Sequence, residues 1–206
     1  MQAYLKSKKQ LWDEALYHPF IKACSDGSIR KSQFEAWLVQ DNIYVLEFMR
    51  FMAQTLAHAP PEHYSVLISG LSALDSELDW YKEKLAERGL SRDVEVLPGC
   101  NTYIKMMQSF ADKPYPVQIM AVWAIEYAYS EAWATGAGDP DDFKAPYNEF
   151  ANRWGSKPFR EYVDQLAQKA QEALQGTSKE VRKEAEAVCD KIASYEVDFW
   201  QMAFDA

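Results

Sequence analysis

The sequence predicts an all-α fold in a single domain spanning residues 1–206. Apolar residues recur at three- and four-residue spacing through most of the chain, and no alternating β-branched run is long enough for a strand. Glycines and prolines separate these periodic segments. A chain of 206 residues can bury one core of good size. The predicted helices are too many and too long for a simple four-helix bundle.

Start and stop signals bound the helices of the N-terminal half. The first helix is expected to end at His18, because a residue before proline avoids the helical conformation. Ser32 is expected to cap the long third helix, with Glu35 as its capping-box partner. Gly89 ends the fourth helix. The predicted helices of this half cover residues 3–17, 20–24, 32–56 and 62–88.

Prolines and glycines divide the C-terminal half. The polar stretch 91–101, which contains Pro98 and Gly99, is predicted to be a surface loop. The segment KPYP at 113–116 interrupts the helical pattern, and GAGDP at 136–140 closes the helix that follows. The predicted helices of this half cover residues 103–110, 116–135, 147–153, 158–174 and 179–204.

Composition is that of a globular protein with many aromatic residues. Hydrophobic residues make up 48% of the chain and aromatic residues 14%, with 7 Trp and 12 Tyr, so some rings are expected to line a cavity. The net charge of -9 is spread along the chain. It argues against nucleic acid or an anionic membrane as a partner.

The cysteines and the N-terminus favour a cytoplasmic protein. Cys24, Cys100 and Cys189 have no close spacing, so neither a disulfide framework nor a zinc knuckle is indicated. The N-terminus lacks the apolar core of a secretory signal, and no apolar run approaches the ~20 residues that span a bilayer.

The segment 123–133 places Glu126 and Glu131 among four large aromatic residues. A carboxylate on an apolar helix face loses hydration, and its pKa then becomes adjustable, which suits acid/base chemistry. Either carboxylate could instead point to water or to an arginine. Periodicity does not decide which of the two faces inward.

Three further carboxylates lie beside aromatic residues. Asp41 has the spacing that places it on one helix face with rings, and its alternative is a structural hydrogen bond to Tyr44 or a basic residue. Glu196 lies one turn from Phe199 and Trp200, with solvation as its alternative. Glu77, near Trp80, is expected to be salt-bridged or exposed. The residues that share the face of Asp41 are Trp37, Tyr44, Phe48 and Phe51.

Four motifs resemble the TenA / thiaminase II family. They are HPFI at 18–21, DGS at 26–28, FEAWLVQDNIY at 34–44 and YEVDFWQMAF at 195–204, and the resemblance spans essentially the whole chain. It implies a heme-oxygenase-like, up-and-down helical globule without heme or another cofactor, assembled as a homo-oligomer (dimer or tetramer). It also implies thiamin salvage, by hydrolysis of the exocyclic amine of 4-amino-5-aminomethyl-2-methylpyrimidine or by cleavage of thiamin.

The resemblance assigns roles to individual positions. Asp41 matches the pyrimidine-binding Asp, Tyr44 and Tyr103 match pocket aromatics, and Glu196 matches the catalytic Glu. The family's nucleophilic Cys has no counterpart in 123–133, and its later active-site Tyr falls at Trp154. Both departures resemble the Cys-less TenA_E branch, which is known from plants to act on the aminopyrimidine and its N-formyl derivative.

Displacement of an amine from the pyrimidine needs a ring held flat, a hydrogen-bonded ring nitrogen and a protonated leaving group. Without a Cys, water is the expected nucleophile. We therefore expect Glu196 and Glu126 to divide the acid and base roles while Asp41 orients the pyrimidine. Residues expected to complete the substrate pocket are Tyr44, Tyr103, Tyr129, Trp154 and Glu77.

Two other function classes remain open. A metal oxidase of the same fold would need several inward-facing His residues, whereas only His18, His58 and His63 exist and at most one is expected in the interior. A regulatory protein could bind the pyrimidine without converting it. A DNA-binding regulator is disfavoured by the charge.

Overall fold

The protein is described here by a computed structural model that covers residues 1–135 and 142–206. These ranges contain ten α-helices, one short 3-10 helix (Pro61–His63) and no β-strand, so the predicted all-α class is confirmed. None of these helices is long and apolar enough to cross a membrane. The helices are α1 (Gln2–Ser7), α2 (Lys9–Leu16), α3 (Pro19–Asp26), α4 (Lys31–His58), α5 (Tyr64–Glu87), α6 (Pro98–Gln108), α7 (Tyr115–Thr135), α8 (Asn148–Trp154), α9 (Lys157–Leu174) and α10 (Lys179–Phe204).

Most predicted helices agree with the structure to within two residues, but two predictions of helix and loop boundaries are wrong. The first predicted helix is broken at Lys8, whose backbone leaves the helical region at φ -113 and ψ 18. Pro98 and Gly99 do not belong to a loop, since they form the first turn of α6, where proline at the first position has no N–H to lose. The segment GAGDP at 136–140 lies outside the described residues.

The cap of α4 also differs from the prediction. The helix begins at Lys31, and the backbone N–H of Arg30 donates to Gln33 Oε1 at 3.0 Å. Gln33 rather than Glu35 therefore closes the capping box. Ser32 directs its hydroxyl to the carbonyl oxygen of Ala206 at 3.4 Å. A tertiary contact with the chain terminus has replaced the local one.

Helix α7 is the centre of the architecture. It packs along α9 and α10 and also contacts α2, α4 and α8. A helix surrounded in this way needs apolar residues on every side, and nearly every residue from Val117 to Ala134 is buried. Helices α4 and α5 pack against each other, and α6 lies between α4 and α10. Side chains from α4, α5, α7 and α8 therefore face a common interior region.

Tryptophans fill the core where α4, α7, α8 and α10 meet. The indole rings of Trp37 and Trp133 lie 5.4 Å apart between centroids, and Trp154 packs 5.5 Å from Trp133. Trp200 from α10 lies 5.3 Å from the ring of Tyr129. Aromatic pairs at these separations add to the free energy of area burial. These four tryptophans form one packed cluster, the tryptophan cluster, beside the interior region.

Gly155 determines how closely α8 approaches the end of α7. A Cβ at this position would lie 2.7 Å from the carbonyl oxygen of Ala151 and 2.8 Å from that of Trp133. Both obstacles are backbone atoms, which cannot swing aside. The absence of a side chain at Gly155 therefore lets Trp154 reach the core.

We expect Gly155→Ala to lower the free energy of unfolding by about 2–3 kcal/mol, because the new methyl group overpacks rigid backbone. Gly89→Ala is the matched control: nothing lies within 4 Å of its Cβ, and only the positive φ of 66° opposes the change. That strain is worth about 1 kcal/mol. Thermal unfolding of both variants measures the difference. The close-approach interpretation is wrong if Gly155→Ala is no less stable than Gly89→Ala.

Candidate active site

A small cavity lies between α4, α5, α7 and α8, with about 300 Å³ of empty space when its opening to solvent is counted. Its position on α4 follows from helical spacing, since Asp41, Tyr44, Val45 and Phe48 occur at i, i+3, i+4 and i+7. A concave, mostly apolar site with a few polar groups is typical of small-molecule binding. The lining residues are Asp41, Tyr44, Val45, Phe48, Leu74, Glu77, Ile125, Glu126, Tyr129 and Trp154.

Asp41 is fully buried and is held by two tyrosines. Tyr81 Oη donates to Asp41 Oδ2, and Tyr129 Oη donates to Asp41 Oδ1. Burial raises the pKa of the Asp41 carboxyl to about 7, although the two hydrogen bonds oppose this and the charge of Glu77 adds to it. Two donors on two different helices fix the plane of the carboxyl group.

Glu196 lies in a second layer behind the cavity wall. Tyr103 Oη donates to Glu196 Oε1 at 2.5 Å, and the buried Glu196 Oε2 has no hydrogen-bond partner. Burial raises the pKa of Glu196 to about 8; the Tyr103 hydrogen bond lowers it and the charge of Asp41 raises it. The Tyr103 ring packs 4.5 Å from that of Tyr44. Tyr44 thus connects this layer to the cavity.

Glu126 lines the cavity directly, and only 7% of its surface is exposed. Its Oε1 accepts a hydrogen bond from Tyr162 Oη at 3.2 Å. Burial raises the pKa of Glu126 to about 8, the charge of Glu77 raises it further, and the Tyr162 hydrogen bond lowers it. Glu131, the other candidate on α7, is half-buried and does not line the cavity. The inward-facing carboxyl of α7 is therefore Glu126.

Glu77 is the carboxylate of this group that has an arginine partner. Its Oε2 accepts from Arg153 Nε at 3.3 Å and from Trp154 Nε1 at 3.2 Å. Burial raises the pKa of Glu77, and the positive charge of Arg153 opposes this. The guanidinium carbon of Arg153 lies 4.6 Å from the centroid of the Trp80 ring, which holds it in place. The expected salt bridge is present, but the alternative of an exposed Glu77 is wrong.

The structure brings most of the predicted residues to one cavity and leaves two beside it. Tyr103 and Glu196 are the two outside the lining. Sequence reasoning missed Tyr81, Tyr162 and Arg153, which are the partners of the carboxyls. Tyr81 had a signal, because it follows Glu77 by one helical turn. Tyr162 and Arg153 had none, since their partners lie 36 and 76 residues away.

The histidines lie apart from one another and from the cavity. The expectation of at most one interior histidine is wrong, because His18 and His63 are each 4% exposed. His18 Nδ1 accepts from the backbone N–H of Phe20 at the start of α3, whereas His63 Nδ1 lies 2.7 Å from Tyr115 Oη. His58 is exposed at the end of α4. Within residues 1–135 and 142–206, no three His, Cys, Asp or Glu side chains are grouped to hold a metal ion.

Comparisons with known proteins agree over nearly the full length of the chain. A model of the TENA/THI-4/PQQC family matches residues 5–206. A probable bifunctional TENA-E protein of Glycine max is 32% identical, over 98% of this chain and 92% of that protein. An aminopyrimidine aminohydrolase of Halalkalibacterium halodurans is 28% identical, over 98% and 95%. The structure of a TenA homologue from Pyrococcus furiosus matches with a TM-score of 0.92 at 27% identity, over 98% of both chains.

The raised pKa values make stability depend on pH. An acid whose pKa is higher in the folded protein than in the unfolded chain stabilises the fold fully below the unfolded value, and this stability is lost as the pH rises through the folded value. For Glu126 and Glu196 that window runs from 4.5 to about 8. Each group contributes ~1.4 kcal/mol per pH unit across it.

We therefore expect the thermal midpoint to fall as the pH is raised through this window, and to fall less steeply in Glu126→Gln, which cannot ionise. Glu161→Gln, an exposed glutamate on α9, is the control and should keep the wild-type slope. Thermal unfolding measured at several pH values gives the slopes. An identical slope in Glu126→Gln would mean that Glu126 has an ordinary pKa.

Proposed function

Because the chain belongs to the TENA/THI-4/PQQC family, we propose that it is an aminopyrimidine aminohydrolase of thiamin salvage. The reaction takes 4-amino-5-aminomethyl-2-methylpyrimidine and water to the hydroxymethyl pyrimidine and ammonia. The N-formyl derivative is a second proposed substrate. The observation that carries the proposal is the cavity in which Asp41, Glu77 and Glu126 face one another between aromatic walls. The 28% identical Halalkalibacterium halodurans protein bears the same activity in its name.

Asp41 is proposed to orient the pyrimidine ring. A carboxyl group in its protonated form offers a donor and an acceptor side by side, and the raised pKa of Asp41 favours that form. This pair matches a ring nitrogen and the neighbouring 4-amino group of the substrate. Since Tyr81 and Tyr129 already fix the carboxyl plane, the ring is held in one plane too. Tyr44, Tyr129 and Trp154 then provide flat walls for it.

Glu126 and Glu196 are proposed to divide the acid and base roles, with Glu126 acting from the cavity lining and Glu196 from the layer behind Tyr44. Burial keeps both protonated near neutral pH in the free protein. The substrate amine enters as an ammonium cation, and a nearby positive charge lowers the pKa of a carboxyl group. One carboxyl then loses its proton and can take a proton from the attacking water, while the C–N bond breaks and ammonia leaves. The other carboxyl donates its proton to substrate that arrives as the free amine, so that ammonia is the leaving group in that case too. Substrate binding in this way prepares its own catalytic base.

Water acts as the nucleophile because none of the three cysteines lines the cavity. Cys100 Sγ donates to the carbonyl oxygen of Gln40 at 3.5 Å, and Cys189 Sγ donates to that of Met120 at 3.6 Å. Burial raises the pKa of the Cys100 thiol to about 12. A thiol of this kind is a poor nucleophile.

The assembly state and location of the protein belong to the same proposal. A homo-oligomer, dimer or tetramer, in the cytoplasm is what the family resemblance implies. The ligand proposed for the cavity is a small pyrimidine.

We expect Glu196→Gln and Glu126→Gln each to lower kcat for ammonia release by about 10²–10⁴-fold, because each removes one proton-transfer group. Asp41→Asn should act mainly on KM by disturbing the orientation of the ring. Glu161→Gln, exposed on α9, should keep full activity. Ammonia release from the aminopyrimidine is the measurement. Tight binding without ammonia release by the unmodified protein would instead favour a non-catalytic pyrimidine-binding protein.

A second test concerns proton release on binding. With Glu196→Gln to slow turnover, we expect binding of the aminomethyl substrate near neutral pH to release a proton, since its ammonium group lowers the pKa of Glu126. The uncharged hydroxymethyl product should bind without this release. Calorimetric titration in two buffers of different ionisation enthalpy measures the number of protons. Equal proton release by both ligands would contradict the proposed coupling.

A further inference from the structure

Gly70 is a glycine in the interior of α5, where glycine costs about 1 kcal/mol relative to alanine. Such a residue usually marks a packing or functional requirement. A Cβ at Gly70 would overlap Tyr162 Oη and would lie 2.9 Å from Met52 Sδ and 3.1 Å from Tyr162 Cζ. The atom that occupies the space of the missing methyl group is therefore the hydroxyl oxygen of Tyr162.

The same hydroxyl group reaches the carboxyl that lines the cavity. Tyr162 projects from α9, which packs along α7, and its Oη donates to Glu126 Oε1 at 3.2 Å. Tyr162 itself lines an outer groove together with Phe159 and Arg153 rather than the cavity. Tyr162 thus contacts Glu126 without lining the cavity itself.

We propose that Tyr162 is a positioning residue for Glu126 and that Gly70 is the notch in α5 that admits its hydroxyl group. This inference rests on the proposed function, which gives Glu126 a role in proton transfer. The hydrogen bond holds the carboxyl in one rotamer toward the cavity. It also stabilises the ionised form of Glu126, so it sets the pH at which this group changes between acid and base.

Packing alone does not explain the pair of Gly70 and Tyr162. A phenylalanine at 162 would fill the same ring space without the overlapping oxygen. An alanine at 70, which has the better helix propensity, would then have to move only the flexible Met52 side chain and the ring edge, at 2.9 and 3.1 Å from its Cβ, by a few tenths of an ångström. The combination found here is the one that keeps a hydroxyl group beside Glu126. Stability given up at a functional site in this way is a common trade-off.

Other charged groups near Glu126 are accounted for. Glu77 faces it from α5, and its charge raises the pKa of Glu126. Arg153 from α8 bonds Glu77 rather than Glu126. Asp41 from α4 lines the same cavity. Among the described residues, Tyr162 is the side chain that donates a hydrogen bond to Glu126.

The test compares Tyr162→Phe, Gly70→Ala and the double variant. Tyr162→Phe should lower kcat about tenfold or more, as expected for loss of one hydrogen bond to a charged group, and should move the Glu126 limb of the pH–rate profile upward. KM should change little, because Tyr162 does not line the cavity. Gly70→Ala should cause the same shift, since its methyl group displaces the hydroxyl. Tyr64→Phe, a half-exposed tyrosine on α5, is the control and should change neither.

The double variant separates positioning from packing. It should behave as Tyr162→Phe alone, because the hydroxyl that Gly70 admits is already gone. The thermal midpoint of Gly70→Ala should fall, because the Tyr162 ring must rotate away and its hydrogen bond to Glu126 is lost, and adding Gly70→Ala to Tyr162→Phe should lower it less, because no hydroxyl group then opposes the methyl group. Additive losses in the double variant, or a loss of stability without a shift of the pH limb, would overturn the inference.

A readout without turnover keeps this test independent of the proposed reaction. The infrared band of the protonated Glu126 carboxyl is identified by its absence in Glu126→Gln. Its titration midpoint should rise in both Tyr162→Phe and Gly70→Ala. If the protein releases no ammonia but this midpoint shifts, the proposed function fails and the positioning role stands. If the protein releases ammonia but the midpoint does not shift, the proposed function stands and the positioning role fails.

Discussion

The structure depends on one constraint: four carboxyl groups are buried together, and neutral donors rather than cations hold most of them. Tyrosine hydroxyl groups donate to Asp41, Glu126 and Glu196, whereas Glu77 has Arg153. A neutral donor satisfies an oxygen atom without supplying the positive charge that would keep the group ionised. Burial therefore raises the pKa of Glu126 and Glu196 to about 8 and that of Asp41 to about 7. Carboxyl groups held by arginines would instead stay ionised and would have no proton to donate.

This constraint also organises the helices. Each carboxyl and its donor come from different helices: Asp41 joins α4 to α5 and α7, Glu126 joins α7 to α9, Glu196 joins α10 to α6, and Glu77 joins α5 to α8. The site is thus a set of interhelical hydrogen bonds in a region where an unpaired polar group is costly. The tryptophan cluster and the close contacts at Gly70 and Gly155 position the helices that carry the donors and acceptors of these hydrogen bonds. Function and tertiary packing depend on the same contacts.

The arrangement also divides the carboxyls by chemistry. Glu77, next to Arg153, is the group best able to keep a negative charge, and that charge raises the pKa values of Asp41 and Glu126. Like charges in one low-dielectric space separate the pKa values of a group of acids. A cationic substrate fits such a cavity because it relieves this repulsion. Under the proposed function, we therefore expect the cavity to favour a small flat cation over a neutral or anionic ligand of the same shape.

The sequence by itself determined the helices and the faces that carry the chemistry. Apolar periodicity is local, so most helix bounds followed from it, and i, i+3 and i+4 spacing placed Asp41 with Tyr44 and Glu126 with Tyr129. The choice of Glu126 over Glu131 and the partners Tyr81, Tyr162 and Arg153 were decided only by the tertiary structure. The donor and acceptor of these hydrogen bonds are 36 to 76 residues apart, and spacing along the chain carries no information about contacts across the core. The same reason explains why the predicted capping role of Ser32 is wrong. Its hydroxyl group donates to Ala206 at the C-terminal end of the chain, a contact that only the tertiary fold creates.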